Sequence, residues 1–261
     1  MQRIIKSEFI KFINGYMGII LLSLILGMEF IYIIVGLNDS GSVIENVGTE
    51  AMIKILSQYI LYVLPIFIII FTSYITAYDY KNGTAKFSLI SNISRSQFIM
   101  GKMIFILLLV VSSLIVSFLT SFLIVKILGF ANINILEVLK AYLYCIPALT
   151  GIGFLITLIS MILDDFQNSI ICGIFMYFLM IVLDVATKAG GYFTLTSSII
   201  LGYSSGMDSE AYMITALVYI VITFVINIVF INRKDIMLWI QWRLRNRKLL
   251  NLCIKRSLYF C

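Results

Sequence analysis

The stretch "MIFILLLVVSSLIVSFLTSFLIV", residues 103–125, contains 23 residues and no charge. A helix of that length crosses the hydrocarbon core of a bilayer, which is roughly 30 Å thick. The whole chain has the same character, with 61% hydrophobic residues, 12% charged residues and a mean hydropathy of +1.06 over 261 residues. A soluble domain of this size could not bury so much apolar surface. The sequence therefore predicts an integral membrane protein.

Five more uncharged or nearly uncharged runs predict further membrane-spanning helices. The first covers residues 12–28 and resumes after Glu29 to about Leu37, and the others cover residues 55–78, 141–163, 166–183 and 211–232. Lys6 and Lys11 precede the first run, as in a secretory signal, but no small-residue cleavage site follows it, so we expect it to be retained. The prediction is an all-α fold in which residues 1–232 form a domain of six transmembrane helices.

The positions of lysine and arginine predict the orientation. With a cytoplasmic N-terminus, all but four of the 19 Lys and Arg residues lie inside, the exceptions being Lys54, Lys126, Lys140 and Lys188. By the positive-inside rule, both termini and the loop of residues 79–102 are then cytoplasmic. The tail, residues 233–261, combines basic residues with Trp239 and Trp242, which predicts an amphipathic helix on the anionic inner leaflet. We do not expect it to bind nucleic acid.

Several classes of site are excluded or disfavoured. The absence of histidine removes imidazole bases, Ser-His or Cys-His nucleophile pairs and histidine metal sites. "GYSSG" at 202–206 matches the G-x-S-x-G pattern of hydrolases, but without histidine it reads as a flexible extracellular loop. There is no G-x-x-x-x-G-K-[ST] phosphate loop, so we expect neither a catalytic site nor a cofactor or metal in this chain.

The loop of residues 79–102 has signals for two helices. Gly83 allows a sharp turn after the second span, and Thr84 can cap a short helix to about Ser91, with Phe87 and Ile90 on one stripe. Ser94 and Gln97 form a capping box that predicts a helix start near Arg95. On physical grounds alone this could be an ordinary positively charged anchoring loop.

The N-terminus also has the pattern of a short helix. Ile5, Phe9 and Phe12 recur at spacings of four and three, with the basic residues Lys6 and Lys11 on the remaining surface. Residues 2–12 therefore predict an interfacial amphipathic helix, which could also be a simple topology anchor.

The succession Asp79, Gly83-Thr84, Ile93-Ser94-Arg95 and Lys102 resembles a pattern in the permease subunits of ABC-2-type transporters. There it reads acidic, Gly-Thr, Pro-Ile-Ser-Arg and Lys. Here Asp79 stands where glutamate is more usual and Asn92 where proline is common. The length and the six spans are most similar to the bacteriocin-immunity and bacitracin-resistance branch, and the resemblance covers residues 1–232.

The resemblance implies a function and partners. The chain would be a permease in the bacterial plasma membrane that pairs with an identical or homologous second permease and with a separate ABC ATPase, which would carry ATP and Mg²⁺. The residues implied in coupling to the ATPase are Asp79, Gly83, Thr84, Phe87, Ile90, Ser94, Arg95 and Lys102. The family also implies a re-entrant outer hairpin between Lys188 and Glu210, for which an extension of the fifth span is the alternative. The cargo would be an amphipathic peptide or antibiotic.

Two carboxylates and two other function classes stay open. Glu29 and Asp184 fall within predicted spans, where they either line a pathway or lie near the outer headgroups. A membrane enzyme should show a nucleophile and a base clustered on the spans. A membrane scaffold that transports nothing would not need a docking helix.

Overall fold

The structure, a computed structural model, describes residues 2–14, 48–81, 94–127, 133–187 and 209–233, with Gly129 and isolated positions between 16 and 27. In these residues the secondary structure is helical. The elements are α1 (Gln2–Asn14), α2 (Gly48–Gln58), a π-helical turn (Tyr59–Val63), α3 (Leu64–Lys81), α4 (Arg95–Ile127), α5 (Ile135–Leu163), α6 (Phe166–Thr187) and α7 (Ser209–Arg233).

Five helical segments in the described residues are long and apolar enough to cross a membrane. They are Ala51–Lys81, Arg95–Ile127, Ile135–Leu163, Phe166–Leu183 and Met213–Arg233. These segments confirm the second to sixth predicted spans as long apolar helices. The predicted first span lies mostly outside the described residues, and the predicted outer hairpin, residues 188–208, and the tail from residue 234 lie wholly outside them.

Two helices begin earlier than the uncharged runs predicted. The helix of the second span begins at Gly48 rather than at residue 55, and α5 begins at Ile135 rather than at residue 141. The added turns contain Lys54, Glu137 and Lys140, which are all exposed. Helical hydrogen bonding continues past the hydrocarbon core, and these charges remain in the polar zone.

Pro65 accounts for the π-helical turn between α2 and α3. Proline has no N–H and its ring crowds the carbonyl of the residue four positions earlier, which here is Leu61. The turn widens over Tyr59–Val63, just before Pro65. The Tyr177 hydroxyl on α6 donates a hydrogen bond to the Leu61 carbonyl oxygen at 2.5 Å. The carbonyl without its helical donor is therefore satisfied by a neighbouring helix.

Helix α5 lies at the centre of the bundle and packs against α2, α3, α4, α6 and α7. Gly153 allows α4 to approach closely, because a Cβ at this position would be 2.6 Å from the Ile106 Cγ2 atom. Small residues at helix contacts are typical of membrane bundles, in which close packing takes the place of the hydrophobic effect.

Several helix ends meet at one end of the bundle, which we call the charged end. Here α3, α5 and α7 end and α4 and α6 begin. The Lys81 Nζ atom lies 2.7 Å from Asp165 Oδ1. The Ser96 hydroxyl on α4 contacts Asn232 Oδ1 on α7 at 3.1 Å. At the opposite end, the Asn134 N–H before α5 donates to Thr49 Oγ1 on α2 at 2.8 Å.

Candidate functional site, a buried ion cluster

Four ionisable side chains from three helices meet at the charged end. Glu8 and Lys11 belong to α1, Asp79 lies near the end of α3, and Lys102 lies in the second turn of α4. Lys102 Nζ is 3.1 Å from Glu8 Oε1, and Lys11 Nζ is 2.9 Å from Asp79 Oδ1. We call these four residues the ion cluster. Its two acids and two bases cancel in charge.

Lys102 is the centre of the ion cluster. Its side chain is 0% exposed, and its ammonium group donates to Glu8 Oε1, to Asp79 Oδ2 and to the Ile75 carbonyl oxygen, the last at 2.6 Å. An ammonium group has three protons, so these acceptors use its full capacity. A buried charge is tolerated only when it is paired and hydrogen-bonded, and this site meets both conditions.

Lys11 closes the ion cluster from the surface side. Its ammonium group contacts both Asp79 oxygens, at 2.9 and 3.2 Å, and Glu8 Oε1 at 3.2 Å. Burial acts to lower the pKa of Lys11, but the carboxylates of Asp79 and Glu8 outweigh it, and the pKa lies above its usual value. Lys11 therefore stays charged, and α1 is joined to α3 by a charge-assisted bond.

Apolar contacts hold α1 against the same two helices. Phe12 lies edge-on to Phe71 of α3 with ring centroids 5.1 Å apart, and also contacts Phe105 of α4. Ile4 is buried against α4, where a Cβ on Gly101 would be only 2.9 Å from the Ile4 Cγ2 atom. Glycine at position 101 thus allows α1 to lie close enough for the ionic contacts to form.

The predicted helix at the N-terminus is confirmed, but its buried face differs from the predicted stripe. Ile4 and Glu8 are buried, whereas Phe9 is 54% exposed and Ile5 is half-buried. The prediction assigned charged residues to the exposed side of the helix. Glu8 is an exception, since it is buried and its charge is compensated by two lysines. Phe9 is largely exposed, whereas Ile5 and Phe12 pack in part against the core.

Of the residues implied in coupling, Asp79 and Lys102 lie in the ion cluster. Both are buried and contact other helices of this chain. The predicted capping box is confirmed, because the Gln97 N–H donates to Ser94 Oγ and the Ser94 N–H donates to Gln97 Oε1, both at 3.2 Å. Arg95 Nη1 lies 3.4 Å from the Asn232 carbonyl oxygen of α7.

The remaining predicted site residues cannot be placed. Gly83, Thr84, Phe87 and Ile90, with the predicted short helix, lie outside the described residues, and so does Glu29. Asp184 falls within α6, but its side chain is outside the description.

Two members of the ion cluster, Glu8 and Lys11, were missed as site residues. The sequence does contain a local signal, since an acid and a base three positions apart on a helix form a pair. Their further partners lie 68 and 94 positions away, at Asp79 and Lys102. A single sequence without structure gives no indication of such distant contacts.

The fold and this site define a multi-pass, all-helical membrane protein whose described spans meet at one charged end. The sequence matches the profile of the ABC-2 family transporter proteins over residues 4–184, and the chain belongs to that family. It is thus a membrane component of an ABC transporter, a class that works with an ABC ATPase, usually in the bacterial plasma membrane. No curated protein matches this chain.

Proposed function

We propose that this chain is the permease subunit of an ATP-driven ABC exporter. It forms half of the translocation pathway and takes its energy from a separate ATPase subunit, on which ATP and Mg²⁺ are bound. The observation that carries this proposal is the ion cluster, because it links an N-terminal helix to the two helices that flank the loop of residues 82–93.

The ion cluster suits a coupling device. Lys102 and Asp79 lie on either side of the loop in sequence, and both contact α1 through Glu8 and Lys11. A force on α1 or on the loop would then move the ends of α3 and α4 together. A directional contact of this kind converts a local displacement into a movement of whole helices.

Alternating access follows from such a movement. The charged end faces the cytoplasm, by the distribution of lysine and arginine. When the ATPases close on ATP, they pull on the loop and on α1, and the pathway between two permease subunits opens outward. The binding energy of ATP shifts the population between inward and outward states only because the two states differ in these contacts.

The coupling test uses three variants. We expect Gly83→Val, which disfavours the turn predicted from the sequence, and Arg95→Glu, which reverses a charge at the start of α4, to reduce export strongly while the protein stays in the membrane. A matched control is Lys140→Glu, an exposed cation in the second turn of α5 at the opposite end. Copurification of the ATPase and export are measured for each. Full ATPase binding and full export in both loop variants would assign the loop an anchoring role only.

A scaffold that transports nothing is the second candidate. Within the described residues the spans have few charges, which is compatible with either role. A measurement of ATP hydrolysis distinguishes the two candidate functions, because a scaffold would not change the activity of its partner ATPase. A native chain that neither exports nor changes the activity of the ATPase would favour the scaffold.

The orientation is tested by labelling single cysteines on intact cells. We expect cysteines at Ser42 and Ser205 to react with a membrane-impermeant thiol reagent, and a cysteine at Ser91 not to react. Labelling of a cysteine at Ser91 from outside the cell would contradict the proposed orientation.

For the cargo we propose an amphipathic peptide or antibiotic taken from the membrane. Spans that offer serine, threonine, tyrosine and aliphatic side chains give little to balance a small hydrophilic ion. Deleting the gene together with that of its ATPase should lower the inhibitory concentration of membrane-active peptides and leave that of small hydrophilic drugs unchanged. Unchanged sensitivity to every peptide, with altered surface polysaccharide, would point to a different cargo.

A further inference from the structure

An open groove runs between α1 and α4, next to the ion cluster. Its volume is about 480 Å³, and its lining consists of Ile5, Lys6, Phe9, Phe12, Phe105, Leu108, Leu109 and Ser112. The volume falls in the range of small-molecule sites, roughly 300–1,000 Å³. All of its lining is apolar except for one cation and one hydroxyl. We call this feature the α1–α4 groove.

The α1–α4 groove extends from the charged end towards the middle of α4. Lys102 lies at the level of the ion cluster, and Ser112 lies ten residues further along the helix, which is about 15 Å. Phe105 and Leu109 form its buried floor, whereas Phe9 and Leu108 on its rim are 54% and 48% exposed. The shape is a long apolar channel that opens sideways, towards the hydrocarbon that surrounds α4 in a membrane.

The charge at the groove mouth is positive. Glu8, Lys11, Asp79 and Lys102 cancel within the ion cluster. Lys6 is exposed and has no hydrogen bond or ion pair to another described residue, so its charge is not balanced there. A cation above an apolar channel at the membrane surface is complementary to a molecule with an anionic head and a hydrocarbon tail.

We propose that the α1–α4 groove binds an anionic phospholipid of the inner leaflet. One acyl chain lies along Phe105 and Leu109 between α1 and α4, and the phosphate meets the Lys6 ammonium group. The lipid fills the space beside a helix that otherwise contacts the bundle through one face, and so supports α1 in its bound position. The proposal does not depend on export or on the ATPase, and the test uses neither.

The test measures lipid binding to the full chain, purified and stripped of lipid in mild detergent, by native mass spectrometry. The probes are dioleoyl phosphatidylglycerol and dioleoyl phosphatidylcholine, which have the same tails and differ in head charge. We expect one site that prefers phosphatidylglycerol, and we expect Lys6→Glu to weaken that binding roughly tenfold with little change for phosphatidylcholine. The matched control, Lys140→Glu, should leave both affinities as they are.

A second pair of variants tests the groove itself. Leu108→Trp places a ring in the channel and should weaken both lipids, whereas Leu119→Trp, on an exposed position three turns further along α4, should not. Equal binding of the two lipids to the native chain would overturn the proposal, and so would a Lys6→Glu variant that still prefers phosphatidylglycerol. A cysteine at Leu108 that crosslinks to one within residues 15–27 would assign the groove to the chain's own first span and likewise overturn it.

Discussion

The charged end and the interior of the bundle satisfy their buried polar groups in different ways. At the charged end, Lys102 reaches acceptors on α1 and α3, so its bonds join helices. In the interior, hydroxyl groups bond mainly within their own helix, as Ser113 does to the Val110 carbonyl and Thr157 to the Gly153 carbonyl, both at 2.8 Å. Such internal bonds add no link between helices.

The difference suggests how the described bundle could change shape. Helices joined by close packing of small and aliphatic side chains can slide by small steps, because few directional bonds must break. A cluster of paired charges resists sliding, since separating the partners would leave a charge buried alone. We infer that α1 and the adjoining ends of α3 and α4 move as one unit, while the interior contacts adjust.

The largest expected effect breaks the ion cluster at its centre. Lys102→Met removes the ammonium group that contacts Glu8, Asp79 and the Ile75 carbonyl together, so both buried carboxylates lose one of their cationic partners. We expect a loss of about 3–5 kcal/mol in the free energy of unfolding. Unfolding in detergent, followed by circular dichroism, gives the value.

The matched control for this variant is Lys140→Met, which removes an exposed lysine at the opposite end. It should change the free energy of unfolding by no more than about 0.5 kcal/mol. Equal stability of the two variants would show that the ion cluster contributes nothing to the attachment of α1, and the comparison between the two regions would fail.

Glu8→Gln tests whether α1 is held by the ion cluster. The amide keeps the size but removes the charge that both Lys11 and Lys102 approach, and a lost bond to a charged group costs about 1.5–3 kcal/mol. Because the two residues share one contact, Glu8→Gln and Lys102→Met together should cost less than the sum of the two alone. Strictly additive costs would mean that Glu8 and Lys102 do not interact.

Features that depend on residues close together in the sequence could be predicted, whereas contacts between distant residues could not. The capping box of Ser94 and Gln97 lies within one turn, and the structure confirms it. Span length is likewise a local property, so five spans could be predicted from uncharged runs, with errors only at their ends. Asp79 and Lys102 were singled out by a family resemblance, but their burial and their pairing with α1 could not be derived from that pattern.

Glu8 shows why the rest could not be predicted. Pattern rules assign an acid on a short basic helix to the solvent, because an isolated buried carboxylate is costly. Two lysines offset that cost, and one of them, Lys102, is 94 positions away in the sequence and 3.1 Å from Glu8 Oε1. The π-helical turn has a similar origin, since Pro65 indicates a disturbance but the stabilising hydroxyl of Tyr177 comes from another helix.

Gly101→Val tests the close approach that the ion cluster needs. The added side chain would meet the Ile4 side chain within 3.0 Å, and overpacking of this kind costs about 1–3 kcal/mol. Ile4→Ala should restore part of the loss, because it removes the Ile4 Cγ2 and Cδ1 atoms and leaves only the Cβ atom close to residue 101. Stability and the protection of α1 from protease are the measurements. Failure of Ile4→Ala to improve the Gly101→Val variant would place the effect elsewhere.

The smallest effects compare two serines on one stripe of α4. Ser113 and Ser121 are both fully buried, but Ser121 lies 3.1 Å from the Tyr142 hydroxyl of α5, whereas Ser113 donates to its own helix. Ser113→Ala leaves the Val110 carbonyl with its ordinary helical partner, so we expect a change within about 0.5 kcal/mol. Ser121→Ala removes a bond between helices and should cost about 1 kcal/mol more than Ser113→Ala, close to what polar contacts between helices contribute in membranes. If Ser113→Ala proves the more costly of the two, the hydroxyl contact between α4 and α5 contributes less than a bond within one helix, and a bond between helices does not by itself hold them together.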